Sequence, residues 1–450
     1  MEEQTKREES ITVGKRKERK KIEDKDGLYS LLKWYVDYTL NLAYRRLEYV
    51  GREKIPLDGA VIYAPNHTNA LMDALVVLAV TRERKVFIAR ADIFKKQLLE
   101  KILTFLKIMP INRIRDGWSN LGKTNETIEK ASDVLAAKVP LCILPEGAHN
   151  AKHSLLPIGK GIFRIALSAH ERIGGEMPLY IIPVGIEYGN FFRYNTTALV
   201  RVGDPVDVGA FIRSHEDMES PELMNAMRDN LTERMKNLIL YIPEDELYTA
   251  TWNLAAILFD ERGVEGLQEK FDRNSKIISS ILQLREERPE AIVGILEKAE
   301  RFGEARLKRG VSFSSVTKRN LFFSFVLRSV VSVVTLPYFA IASVQSALVF
   351  GLFAYIESFN NDRAFYNSIR YVVILFFWPV SLLIWGILYF IFLPWEYALA
   401  TLLLTVPAVV LVQKMWRNMR LMVSDLKLLC ATGLREMMCD VREEWRNLHN

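Results

Sequence analysis

The sequence predicts an α/β domain with a largely parallel sheet, followed by a helical insertion and a C-terminal α-helical membrane domain. Three observations carry that expectation. Short apolar runs alternate with helix-patterned stretches from Gly59 to Tyr188, the stretch from about 212 to 310 is charged and helical with few strand signals, and residues 321–413 are strongly apolar. Strands that alternate with helices build a sheet covered on both faces. At 450 residues the chain is long enough for two or three domains with a sizeable core.

In chain order, residues 1–26 are charged, lack the apolar run of a signal peptide and read as a disordered basic tail. Within it KRKERKK (Lys15 to Lys21) holds six basic residues in seven. That run is either a solvated tail or an anchor worth ~1 kcal/mol per charge against an anionic surface. Residues 27–50 place Leu, Trp and Tyr at helical spacing and are too polar to span a bilayer. They read as an interfacial amphipathic helix or as an ordinary helix packed on the domain.

Residues 51–211 hold the strand-like runs AVIYAP, KVFIA, IMPIN, LCILPEG and LYIIPVGIEY, with helices expected near 70–80, 92–107, 118–137 and 159–171. Polar residues where such strands end are natural candidates for a site. Residues 212–312 read as a helical insertion or lid, 313–416 as a membrane domain of two to four helices, and 417–450 as a cytosolic amphipathic helix.

A bilayer core needs about 20 residues per helix, so 371–393 makes a convincing span and 397–412 a slightly short one. The run 321–356 is long for one helix and is either one tilted span or a hairpin broken near Leu336-Pro337. Arg363, Arg370, Lys414, Arg417 and Arg420 flank the apolar runs, whereas the link 393–396 has only Glu396. If basic segments stay inside, 371–413 forms a hairpin and 321–356 returns to the same side. The expectation is therefore four crossing or re-entrant helices.

Composition excludes several classes. The net charge of +6 comes without a helix-turn-helix, zinc or RNA-binding signature, so membrane lipids rather than nucleic acid are its partner. Cys142, Cys430 and Cys439 have no paired spacing, which argues against a disulfide framework and a zinc site and fits a reducing compartment. The long apolar runs carry no acidic residue and no repeat halves, against a transporter.

The chemistry concentrates in APNHTNALMDALVV (Ala64 to Val77), where Asn66, His67 and Asn69 follow a predicted strand and Asp73 lies in the next helix. An imidazole titrates near physiological pH and can take a proton from an alcohol. A carboxylate holds its tautomer and stabilises the imidazolium. No serine or cysteine nucleophile is supplied nearby, so His67 would activate a hydroxyl of the substrate itself. Five residues separate His67 from Asp73. On one helix six positions turn about 600°, so the pair can meet only if His67 sits in the loop or a bulge absorbs a residue.

Three further stretches follow in or just after predicted strands: PINRIR with Asn112, Arg113 and Arg115; LPEGAHN with Glu146, Gly147, His149 and Asn150; and IIPVGIE with Pro183 and Val184. Guanidinium groups bind phosphate bidentately. A carboxylate can accept hydrogen bonds from a polyol or orient a cation, and a glycine after it permits a turn. Each stretch alone also reads as a surface ion pair, a plain turn or a satisfied loop histidine; the four in this order are harder to dismiss.

That order resembles the glycerolipid acyltransferase superfamily, over roughly residues 50–210. Asn66, His67 and Asp73 approximate its Asn-His…Asp motif, INR with Arg113 its phosphate-binding stretch, LPEG with Glu146 and Gly147 its Phe-Pro-Glu-Gly, and IPV its fourth motif. Lys160-Gly161 resembles the Lys-Gly that commonly follows the third. The five-residue spacing, the His after Glu-Gly and the C-terminal apolar segments look like the fungal-type glycerol-3-phosphate/dihydroxyacetone-phosphate branch. Ala148 stands where many relatives have Ser or Thr, leaving His149 or Asn150 to substitute for that hydroxyl.

The resemblance implies a membrane-bound O-acyltransferase that takes a fatty acyl group from acyl-CoA or acyl carrier protein. His67 would be the general base and Asp73 its orienting carboxylate. Arg113, with Arg115 and Lys160, would hold the phosphate, and Glu146 and Gly147 would shape the acceptor pocket. The acceptor is 1-acylglycerol 3-phosphate or, from the spacing, glycerol 3-phosphate. No metal or redox cofactor is implied, and a bacterial inner membrane with a cytoplasmic catalytic domain is expected. A non-catalytic lipid-binding scaffold is the rival reading.

Overall fold

The computed structural model describes residues 21–111, 121–431 and 433–449 and gathers eight strands into one sheet. They are β1 (Arg46–Val50), β2 (Ala60–Pro65), β3 (Val86–Arg90), β4 (Ile108–Ile111), β5 (Leu141–Ile143), β6 (Leu179–Tyr188), β7 (Thr197–Val202) and β8 (Val206–Asp207). The order is β1-β7-β6-β2-β5-β3-β4, with β8 beside β6. β2 pairs in parallel with β5 and β6, β3 with β4 and β5, and β1 with β7; β6 runs antiparallel to β7 and β8. All six residues of β2 are buried, as a central parallel strand covered on both faces requires.

The helices in the first half are α1 (Gly27–Ala43), α2 (Leu71–Leu78), α3 (Gln97–Phe105), α4 (Leu121–Ala136), α5 (Gly161–Ile173), α6 (Val208–Arg213) and α7 (Ser220–Lys236). Successive strand residues point to opposite faces, and the two cores follow that alternation. Ala60, Ile62 and Ala64 pack under α4, α5 and α7 through residues such as Leu135, Phe163 and Met227. Val61 and Tyr63 pack on the other face with Leu40 of α1 and Val76 of α2. Four of the five expected strands coincide with β2, β3, β5 and β6, and β4 covers the described part of IMPIN.

Two expectations change. The helix expected over 27–50 ends at Ala43, where Tyr44 turns extended, and Arg46–Val50 is the edge strand β1 on β7. Nor do residues 212–312 form one insertion. Leu223, Met227, Leu231 and Met235 of α7 are part of the sheet's own core. The rest, α8 (Tyr248–Leu258), α9 (Leu267–Glu287) and α10 (Pro289–Lys308), build a second core with the short α11 (Phe313–Val316). That body sits against the β1/β7 edge: the Leu267 N–H donates to Glu48 at 2.9 Å, and Leu199 of β7 is in its core.

The apolar region comprises α12 (Leu321–Ser358), α13 (Tyr366–Phe392), α14 (Trp395–Thr405) and α15 (Ala408–Leu429), and α16 (Gly433–His449) returns to the second core. The break expected near Leu336-Pro337 does not occur: α12 is a single helix of 38 residues with Pro337 inside it. Proline removes one backbone hydrogen bond, but the helix runs on through it. α12 and the segment 363–392 are long and apolar enough to cross a membrane, and the pair α14–α15, bent by 51°, would be a third span if it counts as one. The protein is a membrane protein.

Candidate active site

The loop between β2 and α2 carries His67, and its conformation answers the spacing problem. Ala70, the residue before the helix, has φ 47° and ψ −124°, a region that costs a residue with a side chain on the order of 1–3 kcal/mol. This tight reversal lets His67 turn back over the first turn of α2. There Nδ1 lies 2.9 Å from Oδ2 of Asp73. The same oxygen accepts the Thr68 N–H at 2.8 Å and the Asn69 N–H at 2.7 Å, while the Tyr188 hydroxyl donates to Oδ1 at 2.8 Å. Asp73 is fully buried. It occupies the third position of the helix, where a carboxylate also complements the helix dipole.

Because a carboxylate only accepts, the imidazole proton resides on Nδ1 and the Nε2 lone pair is left for a substrate. The His67 side chain is 17 % exposed, enough to be reached. Burial, and then the charge of Asp73, raise the Tyr188 hydroxyl well above its ordinary value, so it remains a donor to that carboxylate.

Glu146 takes a different task from that expected. Its Oε1 accepts the His67 N–H at 2.7 Å and its Oε2 the Leu156 N–H at 2.9 Å. Both oxygens are therefore spent on backbone, and the side chain is 8 % exposed. It clamps the His67 loop to the loop after β5 rather than facing an acceptor polyol. The Asn150 N–H adds a second link by donating to the His67 carbonyl at 2.9 Å. Burial pushes the Glu146 carboxyl up to about 7, with the two N–H donors working against it. Gly147 has φ 64°, the left-handed turn that favours glycine, and its N–H donates to Leu144.

The remaining candidates divide. Asn66 is buried and doubles the β2–β6 pairing, its side chain accepting the Ile186 N–H at 2.7 Å and donating to the Ile186 carbonyl at 3.1 Å. Asn69 is fully buried, and its side-chain amide has no partner among the described residues. Asn150 donates to Glu244, which also pairs with Lys152. Lys160 immediately precedes α5, half-buried. Asn112, Arg113 and Arg115 lie outside the described residues.

His149 joins the site. Its ring stands edge-on to that of His67, centroids 5.6 Å apart, and its Nε2 lies 2.6 Å from Oδ2 of Asp362. Phe365 packs edge-on against its other side at 4.9 Å. Asp362 and Phe365 belong to the connector between α12 and α13, so the apolar region reaches the neighbour of His67 directly. Burial opposes ionisation of Asp362, but the Ala364 N–H and His149 hold its carboxyl below the usual value.

Sequence reasoning missed Tyr188, Asp362 and Phe365. Tyr188 carried a usable signal, a hydroxyl at the end of a mostly apolar strand. Asp362, 213 residues from His149, carried none. Cavities of about 350 and 270 Å³ line other parts of the helical body and contain neither His67 nor Asp73.

This is an α/β enzyme whose oriented histidine sits on the loop after a central parallel strand. Residues 46–187 match the family model described as Acyltransferase. The matched stretch runs from β1 into β6 and contains His67, Asp73, Glu146 and Gly147. Among solved structures it is similar to the 1-acyl-sn-glycerophosphate (LPA) acyltransferase PlsC from Thermotoga maritima. The identity is 18 % and the TM-score 0.35, over 47 % of this chain and 79 % of that one.

Proposed function

We propose that the protein moves a fatty acyl group from acyl-CoA or acyl carrier protein to a hydroxyl of 1-acyl-sn-glycerol 3-phosphate, yielding phosphatidate. The observation that carries this reading is the His67–Asp73 pair with Nδ1 fixed on the buried carboxylate at 2.9 Å. His67 Nε2 takes the proton of the acceptor hydroxyl as its oxygen attacks the thioester carbonyl. The tetrahedral intermediate then expels the thiolate, which receives that proton from the imidazolium, leaving ester and free thiol. Asp73 stabilises the imidazolium between the two transfers.

Arg113, Arg115 and Lys160 are assigned to the acceptor phosphate. Lys160 stands at the N-terminus of α5 with no ion-pair partner among the described residues, where the helix dipole also favours an anion. Two features support a membrane-borne acceptor: the contact of His149 with the α12–α13 connector, and the packing of Tyr371 of α13 into the core beneath α1 and α2. The reading requires no metal or redox cofactor, and it places the catalytic face in the cytoplasm at a bacterial inner membrane. Glycerol 3-phosphate or dihydroxyacetone phosphate is the second reading, favoured by the five-residue spacing and by His149, which follow the fungal-type branch.

Membranes carrying the protein or its His67→Ala form, supplied with labelled acyl-CoA or acyl carrier protein and either acceptor, test these readings. Label in phosphatidate alone, lost with His67→Ala, is the expected result. Label in lysophosphatidate selects the second reading, and no product from any combination leaves a lipid-binding scaffold.

A further inference from the structure

α12 is the longest helix described, and both of its ends rest on the catalytic side of the molecule. At its start Leu321, 3 % exposed, is part of the second core together with Phe302, Val316, Leu428 and Leu434. Just before it the Lys318 carbonyl accepts from Arg435 at 2.9 Å, and Ser315 bonds Ser424 at 2.8 Å. This core is joined to the β1/β7 edge through Glu48 and Leu199, and Arg46 donates to the Glu265 carbonyl at 2.8 Å. At the far end Asp362 holds His149, Asn367 donates to the Phe191 carbonyl at 2.6 Å, and Arg370 joins Glu357 of α12 to the Phe192 carbonyl. Phe191 and Phe192 follow β6 of the same sheet.

A helix of 38 residues is about 57 Å long at 1.5 Å per residue. If it crossed the bilayer, its ends would be separated by ~30 Å of hydrocarbon, and the charged catalytic body would have to occupy both sides of the membrane at once. Backbone and charge left in hydrocarbon cost several kcal/mol per group. The alternative is a helix lying along the membrane plane, and its surface fits that. Phe323, Leu327, Val330, Val334, Ile341 and Leu348 are all exposed and recur at steps of three, four or seven, forming one stripe along the helix. Ala342, Gln345, Ser346 and Val349, turned toward the neighbouring helices, are buried. The one charge in the middle of the N-terminal half, Arg328, is turned to the buried Asp425 of α15 at 2.5 Å.

We infer that α12 does not cross the bilayer but lies in a single leaflet, its apolar stripe against lipid acyl chains and both ends on the catalytic side. α13 then leaves from the active-site connector, and the chain returns through the bent pair α14–α15 to the second core, where Leu428 is buried. Composition and length alone make α12 a candidate span; the location of its two ends argues against that use of it.

The test uses the full chain in sealed proteoliposomes, with exposed Cys430 and Cys439 replaced by Ser and Cys142 left buried. Single cysteines are placed at Arg319 before α12, Asn361 after it and Lys130 on the catalytic domain, all exposed positions. A membrane-impermeant maleimide should reach all three from the same side. Labelling of Arg319→Cys and Asn361→Cys from opposite sides overturns the inference. A second readout covers positions that protein contacts shield: nitroxides at Phe323, Val334 and Leu348, with depth read from oxygen against nickel-complex accessibility. Equal depths support the in-plane helix. Depth that passes through a maximum at Val334 and returns to the interface at both ends refutes it.

Discussion

Replacing Asp73 by Asn separates what this residue does for the fold from what it does for the reaction. The orientation of the new amide is dictated by its neighbours. Oδ2 of Asp73 faces three donors, two of them the backbone N–H groups of Thr68 and Asn69, which cannot turn away. The Asn oxygen must take that place, so its NH2 faces Tyr188, whose hydroxyl can rotate from donor to acceptor. His67 therefore keeps Nδ1–H pointed at an oxygen and keeps its tautomer; only the charge is lost. A unit pair about 4 Å apart at an effective dielectric near 20 is worth about 4 kcal/mol. This corresponds to roughly 10³-fold in rate if the imidazolium forms in the transition state. Acyl transfer by Asp73→Asn membranes should fall by about that factor while thermal unfolding in detergent moves little. Asp73→Ala instead strands the buried Thr68 and Asn69 N–H groups, at about 1–3 kcal/mol each, and should lower the unfolding midpoint as well. If Asp73→Asn keeps more than a tenth of the activity, or if both variants unfold alike, the charge argument fails.

Tyr188→Phe removes the donor to Asp73 Oδ1 and should cost about 1–3 kcal/mol of stability with the base intact, so that substantial activity survives; complete loss of acyl transfer in a folded variant would contradict this. Burial raises Glu146 to about 7, above the value of about 4.3 in an unfolded chain. Between these values the folded protein holds a proton that the unfolded chain has released. The stability from Glu146 is therefore fully present below about pH 4.3 and is lost as pH rises through 7. Thermal midpoints in detergent should fall from pH 5 to pH 8, and Glu146→Gln should flatten the slope; a slope unchanged in the variant would rule Glu146 out. Gly185→Ala puts a Cβ 2.1 Å from the Leu238 carbonyl oxygen and should cost at least about 1–3 kcal/mol, read as a lower unfolding midpoint. A midpoint equal to the parent's would refute that close approach.

The parts of this protein that were legible in its sequence are those fixed by local pattern. The all-buried run AVIYAP marks a central strand because a two-sided strand needs no alternation, and Asn-His directly after it falls where a parallel sheet opens. The edge strand β1 was hidden because Leu47, Tyr49 and the preceding residues also continue a helical spacing, and it is pairing with the distant β7, Arg46 against Thr197, that decides. Glu146 was read as facing substrate because its type allows that; only the tertiary approach of the His67 and Leu156 N–H groups shows both oxygens taken. Residues 220–236 looked like their charged neighbours until α7 was seen to lay Leu223, Met227 and Leu231 on the sheet.

The hydrogen bonds of Asp73 tie these levels together. A six-position separation is unsuited to a pair on one helix, yet the same carboxylate that meets His67 also accepts the N–H groups of Thr68 and Asn69 ahead of that helix. The turn at Ala70 is unfavourable by itself, and these three bonds to one oxygen hold it closed. Any change that relaxes the turn therefore releases the imidazole too, and any change that removes the carboxylate releases the turn. The imidazole is built into the entrance of α2, so its geometry is as stable as the sheet that anchors Asn66 on one side and Tyr188 on the other. On the far side of the imidazole the support is different in kind. His149 is held by Asp362 and Phe365 from the α12–α13 connector, whose position depends on the apolar helices it joins. One flank of the site is thus set by the core of the sheet and the other by the apolar helices.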